Sequence, residues 1–523
     1  MIARHMSGSK ENIGEESRMF QKGVLGRIRP DGVFVDDTAK SPWGQPGAQA
    51  PEVFNGVDTT RMYMSFIVQN QLRPSAQMTA LITRMADSIC HNPKFQDDYA
   101  YIVLPEARRT DFPFGILGYD QIMFLHGTSL RGLCRAHAMT GDPKYLELAG
   151  KFKNLLLQPK YWVPETAPKA VAAGEHGQFE GHMHSYTTTL MGLAWYSSLT
   201  NDAQVKEFVR ESYQYLRTFG LSRIGMFGEM CMTGDMTWLA IKLSDMGVGD
   251  YWEDVDQYAR NQLLEQQIAD ADKMNIVVAT MPKLVEMESP QYAKLGATTD
   301  NVVNRNVGVY RSDASNPTLI RPMLFRWSIC CPGNCTPAYY GAWEATVRYQ
   351  AGVAQVNLLL NRVSPWLDMD SYLPYEGKVV IRNKSAQKLF VRIPRRVETD
   401  KVMVEVKGKG TGLTWIGRYL FIEGLRREDK IRIDFPMVEA KETYTLKWKS
   451  EDFWMEGLNP GSTWKPNNTP DRFTFHLKGN TVVDVTPRTE GPGYPLYVRD
   501  QLKASIVPMR QVTRYVSPTV VWW

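Results

Sequence analysis

Two adjacent cysteines, Cys330 and Cys331, followed by Pro332-Gly333-Asn334 and then Cys335, are the residues of this chain best suited to do chemistry. The chain has only 6 cysteines in 523 residues, so half of them within one short stretch is a pattern that needs a reason. Neighbouring cysteines make a strained disulfide, because the ring they close contains the peptide between them. Side by side on irregular backbone, their thiolates suit a soft metal cation better, since both reach one ion. Upstream, Glu229-Met230-Cys231 offers a carboxylate and a thiol two residues apart, on one face of an extended segment, which could close a tetrahedron. The alternative is that these are small buried apolar side chains. That alternative is the one adopted for Cys90 and Cys134, which lie inside apolar helical patterns.

The elements that must position these groups fall into two kinds. Residues 1–56 are rich in Gly, Pro and Asp and read as an irregular wrap. From residue 57 the apolar spacing becomes helical, with Met62–Gln69 and Met78–Ile89 as the first helices. A unit then recurs: helix, short turn, helix. It spans Tyr119–Leu156 around Gly141-Asp142, His184–Phe219 around Asn201-Asp202, and Met232–Ile268 around Gly247 to Asp250. In each unit a Gly or Asn ends one helix and an Asp caps the next. Helical hairpins repeating in this way build a solenoid or a closed ring. A further helix is expected over Pro337–Ala351, with the cysteine pair in the irregular stretch before it.

After about residue 355 the period changes to alternation. Val379–Arg382, Leu389–Ile393, Val402–Val406, Tyr419–Glu423, Lys430–Phe435 and Phe473–Leu477 read as strands of an antiparallel sandwich. The expected architecture is an (α/α)6 helical toroid barrel over 57–355 followed by an antiparallel β-sandwich over 356–523. Carbohydrate-active enzymes often pair these two folds, which is analogy at the level of fold.

Composition narrows the partners. A net charge of +5 over 523 residues, without a run of basic side chains, gives no nucleic-acid footprint. No apolar stretch is long enough to span a membrane, and the polar start lacks the apolar stretch of a signal peptide, so a cytoplasmic location is expected. Clustered cysteines fit a metal site in a reducing compartment. The 14 Trp and 24 Tyr suit sugar stacking but also large cores. A carbohydrate is the expected partner, and a homodimer is left open.

With Glu229-Met230-Cys231 and Cys330-Cys331-Pro332-Gly333-Asn334 on that architecture, the chain resembles the β-L-arabinofuranosidases of glycoside hydrolase family 127. Phe390-Val391-Arg392-Ile393-Pro394 and the pair Arg418–Ile422 and Arg427–Ile431 look like strands of that family's sandwich. The resemblance spans roughly residues 57–440. It implies a zinc ion held by Glu229, Cys231, Cys330 and Cys331, with Cys330 as the nucleophile of a retaining glycosidase. A zinc-bound thiol loses its proton outright, which a thiol of ordinary pKa near neutrality does not. The family's acid/base glutamate precedes Glu-x-Cys in a Gly-rich loop, but the corresponding Thr218–Gly228 contains no acid. Glu180, with Glu175, beside His182 and His184, is the substitute. His126 and His184, near the starts of equivalent helices, are expected to bind sugar hydroxyls. Trp195, Tyr186, Trp238 and Trp327 are candidates for cleft walls.

Two other functions compete. A polysaccharide lyase or sugar epimerase on a helical toroid would have no need of the cysteine pair. A non-catalytic glycan-binding protein would use the same four ligands as a closed structural zinc site.

Overall fold

The computed structural model describes residues 18, 22–35, 56–103, 119–162, 183–279, 300–311, 313–314, 316–320, 330–446, 472–491, 493–508 and 516, with the backbone alone for 119–121, 313–314 and 330. Among these, helical hairpins come first and sheets second. The hairpins are α1 (Gly56–Leu72) with α2 (Ala76–His91), α3 (Tyr119–Thr140) with α4 (Pro143–Leu156), α5 (Met183–Thr200) with α6 (Ala203–Leu216), and α7 (Met230–Asp245) with α8 (Trp252–Arg260). A further long helix, α9, spans Cys330–Ala345.

The turn chemistry follows the expectation in two of the three units. Gly141 and Asn201 adopt left-handed backbone, which ends a helix at low cost. Asp142 then accepts from the backbone N–H of Lys144, and Asp202 from that of Val205. In the third unit Tyr251, not Asp250, occupies the cap position. Asp250 still accepts from the Trp252 N–H at 3.4 Å, but its closer partner is Arg392, described below.

Residue type separates two rows of helices. In α5 every residue from His184 to Ala194 is buried, and in α7 every residue from Met230 to Thr237, so these stretches are enclosed on all sides. In α6 only Val205, Val209, Ser212, Tyr213 and Leu216 are buried, a one-faced pattern that leaves the other face to solvent. The enclosed row runs α1–α3–α5–α7–α9, each packing on the next. Val68 and Leu72 of α1 meet Tyr340 and Trp343 of α9, so the row returns on itself. Contacts between His184 and Asp235, and between Cys231 and Cys331, are start-to-start, so α5, α7 and α9 run in parallel. Their N-termini gather at one end.

Beyond the helices, a six-stranded and a five-stranded sheet enclose one core. Val379, Ile381, Ile431 and Ile433 of the first meet Leu389, Val391, Leu420 and Ile422 of the second, with buried and less buried residues alternating along the strands. The pairs are antiparallel except Val353–Val356 with Lys388–Arg392, which run parallel. The expected all-antiparallel arrangement is corrected at that pair, where a crossover replaces a hairpin.

The last strands do not extend this core. Glu439–Thr445, Arg472–Lys478 and Thr481–Thr486 form a separate sheet. Its Phe473, Phe475 and Leu477 pack with Ile224, Met226, Ile268 and Met274 from the helical part of the chain. The described strands from Val347 to Thr486 therefore supply a two-sheet unit and a further sheet whose apolar face the helical segment covers.

An ion cluster ties the units. Arg392, only 3% exposed, donates to Asp250 at 3.1 Å and to Glu253 at 2.8 Å. Burial pushes the Glu253 carboxyl up, but Arg392, Asn480 and the Arg395 N–H together bring it below its ordinary value. Among the described residues no helix is long and apolar enough to cross a membrane.

Candidate active site

The cysteine pair belongs to a helix. Cys330 and Cys331 open α9, so the expectation of irregular backbone there, with a helix beginning at Pro337, is corrected. Pro332 fits a first turn because the first backbone N–H groups of a helix have no partner within it. Pro337 lies inside the helix. Glu-x-Cys is likewise split between elements. Glu229 ends a two-residue strand paired with Asp313–Ala314 and occupies the cap position of α7, and Cys231 lies in the first turn of that helix.

Both sulfur-bearing helix starts converge. The Sγ atoms of Cys231 and Cys331 are 3.1 Å apart, and both residues are fully buried. That is well beyond a disulfide of about 2.05 Å. It is somewhat less than the roughly 3.7 Å edge between two thiolates on one tetrahedral zinc, taking Zn–S as about 2.3 Å. The Sγ of Cys335 donates to the carbonyl of Met230 at 3.1 Å. Met230, Leu263, Tyr310 and Ala338 complete an apolar shell round the three sulfurs. Positive ends of two helix dipoles face the sulfur pair, which favours negative charge there. The donor set is therefore of a kind that fits zinc. Among the described residues no group of three or more metal-type side chains converges, and the Cys330 side chain lies outside them. Glu229 is half-buried.

One turn deeper lies a polar network that the sequence reading missed. His184 Nδ1 stands 2.6 Å from Asp235 Oδ2, and the Thr187 hydroxyl donates to the same oxygen at 2.6 Å. Asn334 Nδ2 is 3.3 Å from His184 Nε2. His184 and Asp235 are 2% and 1% exposed. The signal existed: Asp235 is an isolated acid in the apolar run Met230–Ile241, four residues after Cys231, and a buried acid needs a partner. Asn334 likewise follows Cys330 by one helical turn. Gly234 allows the helices to meet here, since a Cβ on it would lie 3.0 Å from the Asn334 carbonyl oxygen.

His126, expected beside His184 in a cleft, is buried with both ring nitrogens on main chain. Nδ1 contacts the Ile122 carbonyl at 2.8 Å, and Nε2 accepts from the Ile102 N–H at 2.9 Å. Burial lowers its pKa to about 4. Neither nitrogen is left for a sugar hydroxyl, so the placement as a substrate ligand is corrected to a fastener between α3 and the segment at Ile102.

The aromatic candidates also pack. Tyr186 is buried against Trp162, and Trp195 lies beneath Lys242 Nζ at 3.8 Å, toward the opposite end of the helices. Trp238 abuts Gly341. Glu175, Glu180, His182 and Trp327 lie outside the described residues. The acid-free segment Thr218–Gly228 is pinned to the last sheet, with Arg223 donating to the Gly479 carbonyl and meeting Glu442.

No family model matches the sequence, and no curated protein matches it. Solved structures share its fold. A protein described as a glycoside hydrolase aligns at 13% identity and a TM-score of 0.55, over 90% of this chain and 74% of its own. The GH127 β-L-arabinofuranosidase Ara127N of Geobacillus stearothermophilus T6 aligns at 12% and 0.53, over 91% and 74%. The GH127 β-arabinofuranosidase BT3674 aligns at 13% and 0.52, over 88% and 70%.

Proposed function

We propose that the protein is a retaining glycoside hydrolase with a cysteine nucleophile, acting on β-L-arabinofuranosides or a related sugar, on an (α/α)6 toroid followed by a β-sandwich. The observation that carries this reading is the meeting of Cys231 and Cys331, 3.1 Å apart at the first turns of parallel helices. The fold likeness to two arabinofuranosidases agrees with it.

Glu229, Cys231, Cys330 and Cys331 would hold a zinc ion, whose contribution when bound is to keep the sulfurs deprotonated at neutral pH. Cys330 attacks the anomeric carbon, forming a C–S bond as the glycosidic C–O bond breaks. Water then releases the sugar with its configuration retained. The buried, apolar shell of Met230, Leu263 and Tyr310 excludes competing water from the sulfurs. The leaving oxygen needs a proton, for which Glu180 and the His184–Asp235 pair are the two sources.

Metal analysis with a screen of p-nitrophenyl furanosides and pyranosides tests the proposal. About one zinc per chain is expected, with turnover lost in Cys330→Ser while calorimetry still detects sugar binding. If Cys330→Ser keeps more than about a tenth of the wild-type kcat/KM, the lost stabilisation is under about 1.4 kcal/mol, too little for a covalent nucleophile.

A further inference from the structure

Resting on that hydrolase reading, we infer that His184, oriented by Asp235, is the acid/base of the reaction in place of a glutamate. The geometry fixes its tautomer. Asp235 accepts at 2.6 Å, so the Nδ1 proton points to the carboxylate, and Nε2 is turned to Asn334 and the helix that carries Cys330. A buried carboxylate behind an imidazole stabilises the imidazolium that proton transfer creates. The Thr187 hydroxyl holds the same carboxylate oxygen from α5 itself.

The surroundings are consistent from every side. From α7 comes Asp235, and from α9 the uncharged Asn334. From α3 the Phe124 ring lies 5.4 Å from the imidazole, with the Arg61 guanidinium of α1 on that ring at 4.9 Å. Arg131 of α3 is close enough to Asp235 for the carboxylate to oppose the effect of burial on the guanidinium. Asp235 thus has the Arg131 guanidinium nearby and two hydrogen-bond donors, and His184 is the group through which a proton passes.

The proton balance is simple. In the first step the sulfur–carbon bond forms, the glycosidic carbon–oxygen bond breaks, and the Nε2 proton goes to the leaving oxygen. In the second step Nε2 takes a proton from water as its oxygen bonds to the anomeric carbon, and the electron pair of the carbon–sulfur bond returns to the sulfur. The Asn334 amide donates to Nε2 when the imidazole is neutral and must rotate its oxygen inward, or yield to the substrate oxygen, when Nε2 is protonated.

Leaving-group dependence tests this. A p-nitrophenolate departs without a proton, and an alkoxide does not. For methyl β-L-arabinofuranoside, His184→Gln is expected to lower kcat/KM by at least about a hundredfold, the range of general acid catalysis. For the p-nitrophenyl glycoside the loss should stay below about tenfold in the same comparison. Asp235→Asn, which keeps the shape, should show the same imbalance in smaller measure and lose the low-field Nδ1 proton resonance expected of the wild-type protein. Equal losses on both substrates overturn the assignment, as does the imbalance appearing in Glu180→Gln instead. Wild-type protein that shows the resonance but cleaves no glycoside overturns the hydrolase reading and the assignment with it. Turnover without the resonance overturns the dyad alone.

Discussion

His126 and His184 sit near one end of neighbouring parallel helices, and both are almost wholly buried, yet they differ in everything that decides chemistry. Around His126 the partners are a carbonyl and an N–H of the main chain, and its edge meets Phe152 at 5.2 Å. Around His184 they are a carboxylate and an amide side chain. Main-chain groups hold a neutral ring in place, and the Ile122 carbonyl favours its protonation by less than burial opposes it. A carboxylate favours protonation more, and it lowers the cost of making a buried imidazolium. Position on the helix sets where each ring lies. The partner sets what it can do.

Breaking His126 should therefore damage the fold and spare the chemistry. His126→Ala strands the Ile102 N–H in the core and opens a cavity against Phe152. A loss of about 2–5 kcal/mol is expected from these two effects, read by urea denaturation. The leaving-group dependence should be unchanged. A stable, folded His126→Ala protein that has lost turnover would erase the contrast between the two rings.

The same contrast has a pH signature. Burial holds the folded-state pKa of His126 at about 4, below its ordinary 6.5. With the folded value depressed, the unfolded chain binds the proton first as pH falls. The stabilisation is complete above pH 6.5 and is lost as the pH falls toward 4. A gap of about 2.5 units corresponds to up to about 3 kcal/mol. Thermal melts of wild type and His126→Gln across this window should differ in slope, the variant lacking this contribution. Parallel curves would mean that His126 titrates as an exposed histidine does.

Much of this was legible in the chain. The hairpins at Gly141-Asp142 and Asn201-Asp202, and the strands at Val379 and Leu389, follow from periodicity and caps that act locally. The helix start at Cys330 did not, because Cys-Cys-Pro-Gly-Asn has poor helix propensity and only packing of Cys331 and Cys335 against α7 overrides it. Asp250, expected to cap from its place after Gly249, meets the Trp252 N–H only at 3.4 Å, and a buried Arg392 far along the sequence holds it more closely. Replacing Arg392 with Met would leave the buried Glu253 without its cation, holding only Asn480 and the Arg395 N–H, and should cost about 3–5 kcal/mol, measurable by the same denaturation. At the site, residue types pointed to the cysteines, and tertiary structure alone brought Asp235 to His184. Spacing cannot state which of two similar histidines meets a carboxylate.

The finest test lies within a single turn of α5. The Thr187 hydroxyl donates to Asp235 at 2.6 Å, whereas the Thr188 hydroxyl lies 3.4 Å from His184 Nδ1, whose proton is already committed to the carboxylate. Valine matches threonine in shape, so each substitution removes a hydroxyl and little else. Thr187→Val takes a charge-assisted hydrogen bond from a buried carboxylate and should cost about 1.5–3 kcal/mol. It should also free the carboxylate to shift behind His184 and thereby reduce turnover of the methyl glycoside more than of the p-nitrophenyl one. Thr188→Val should change stability by less than about 0.5 kcal/mol, since a contact at that length contributes little. Both effects are read from the same urea curves and the same pair of substrates. Equal costs for the two threonines would mean that the carboxylate does not depend on its α5 donor, and that Asp235 orients His184 without help from the helix on which the histidine sits.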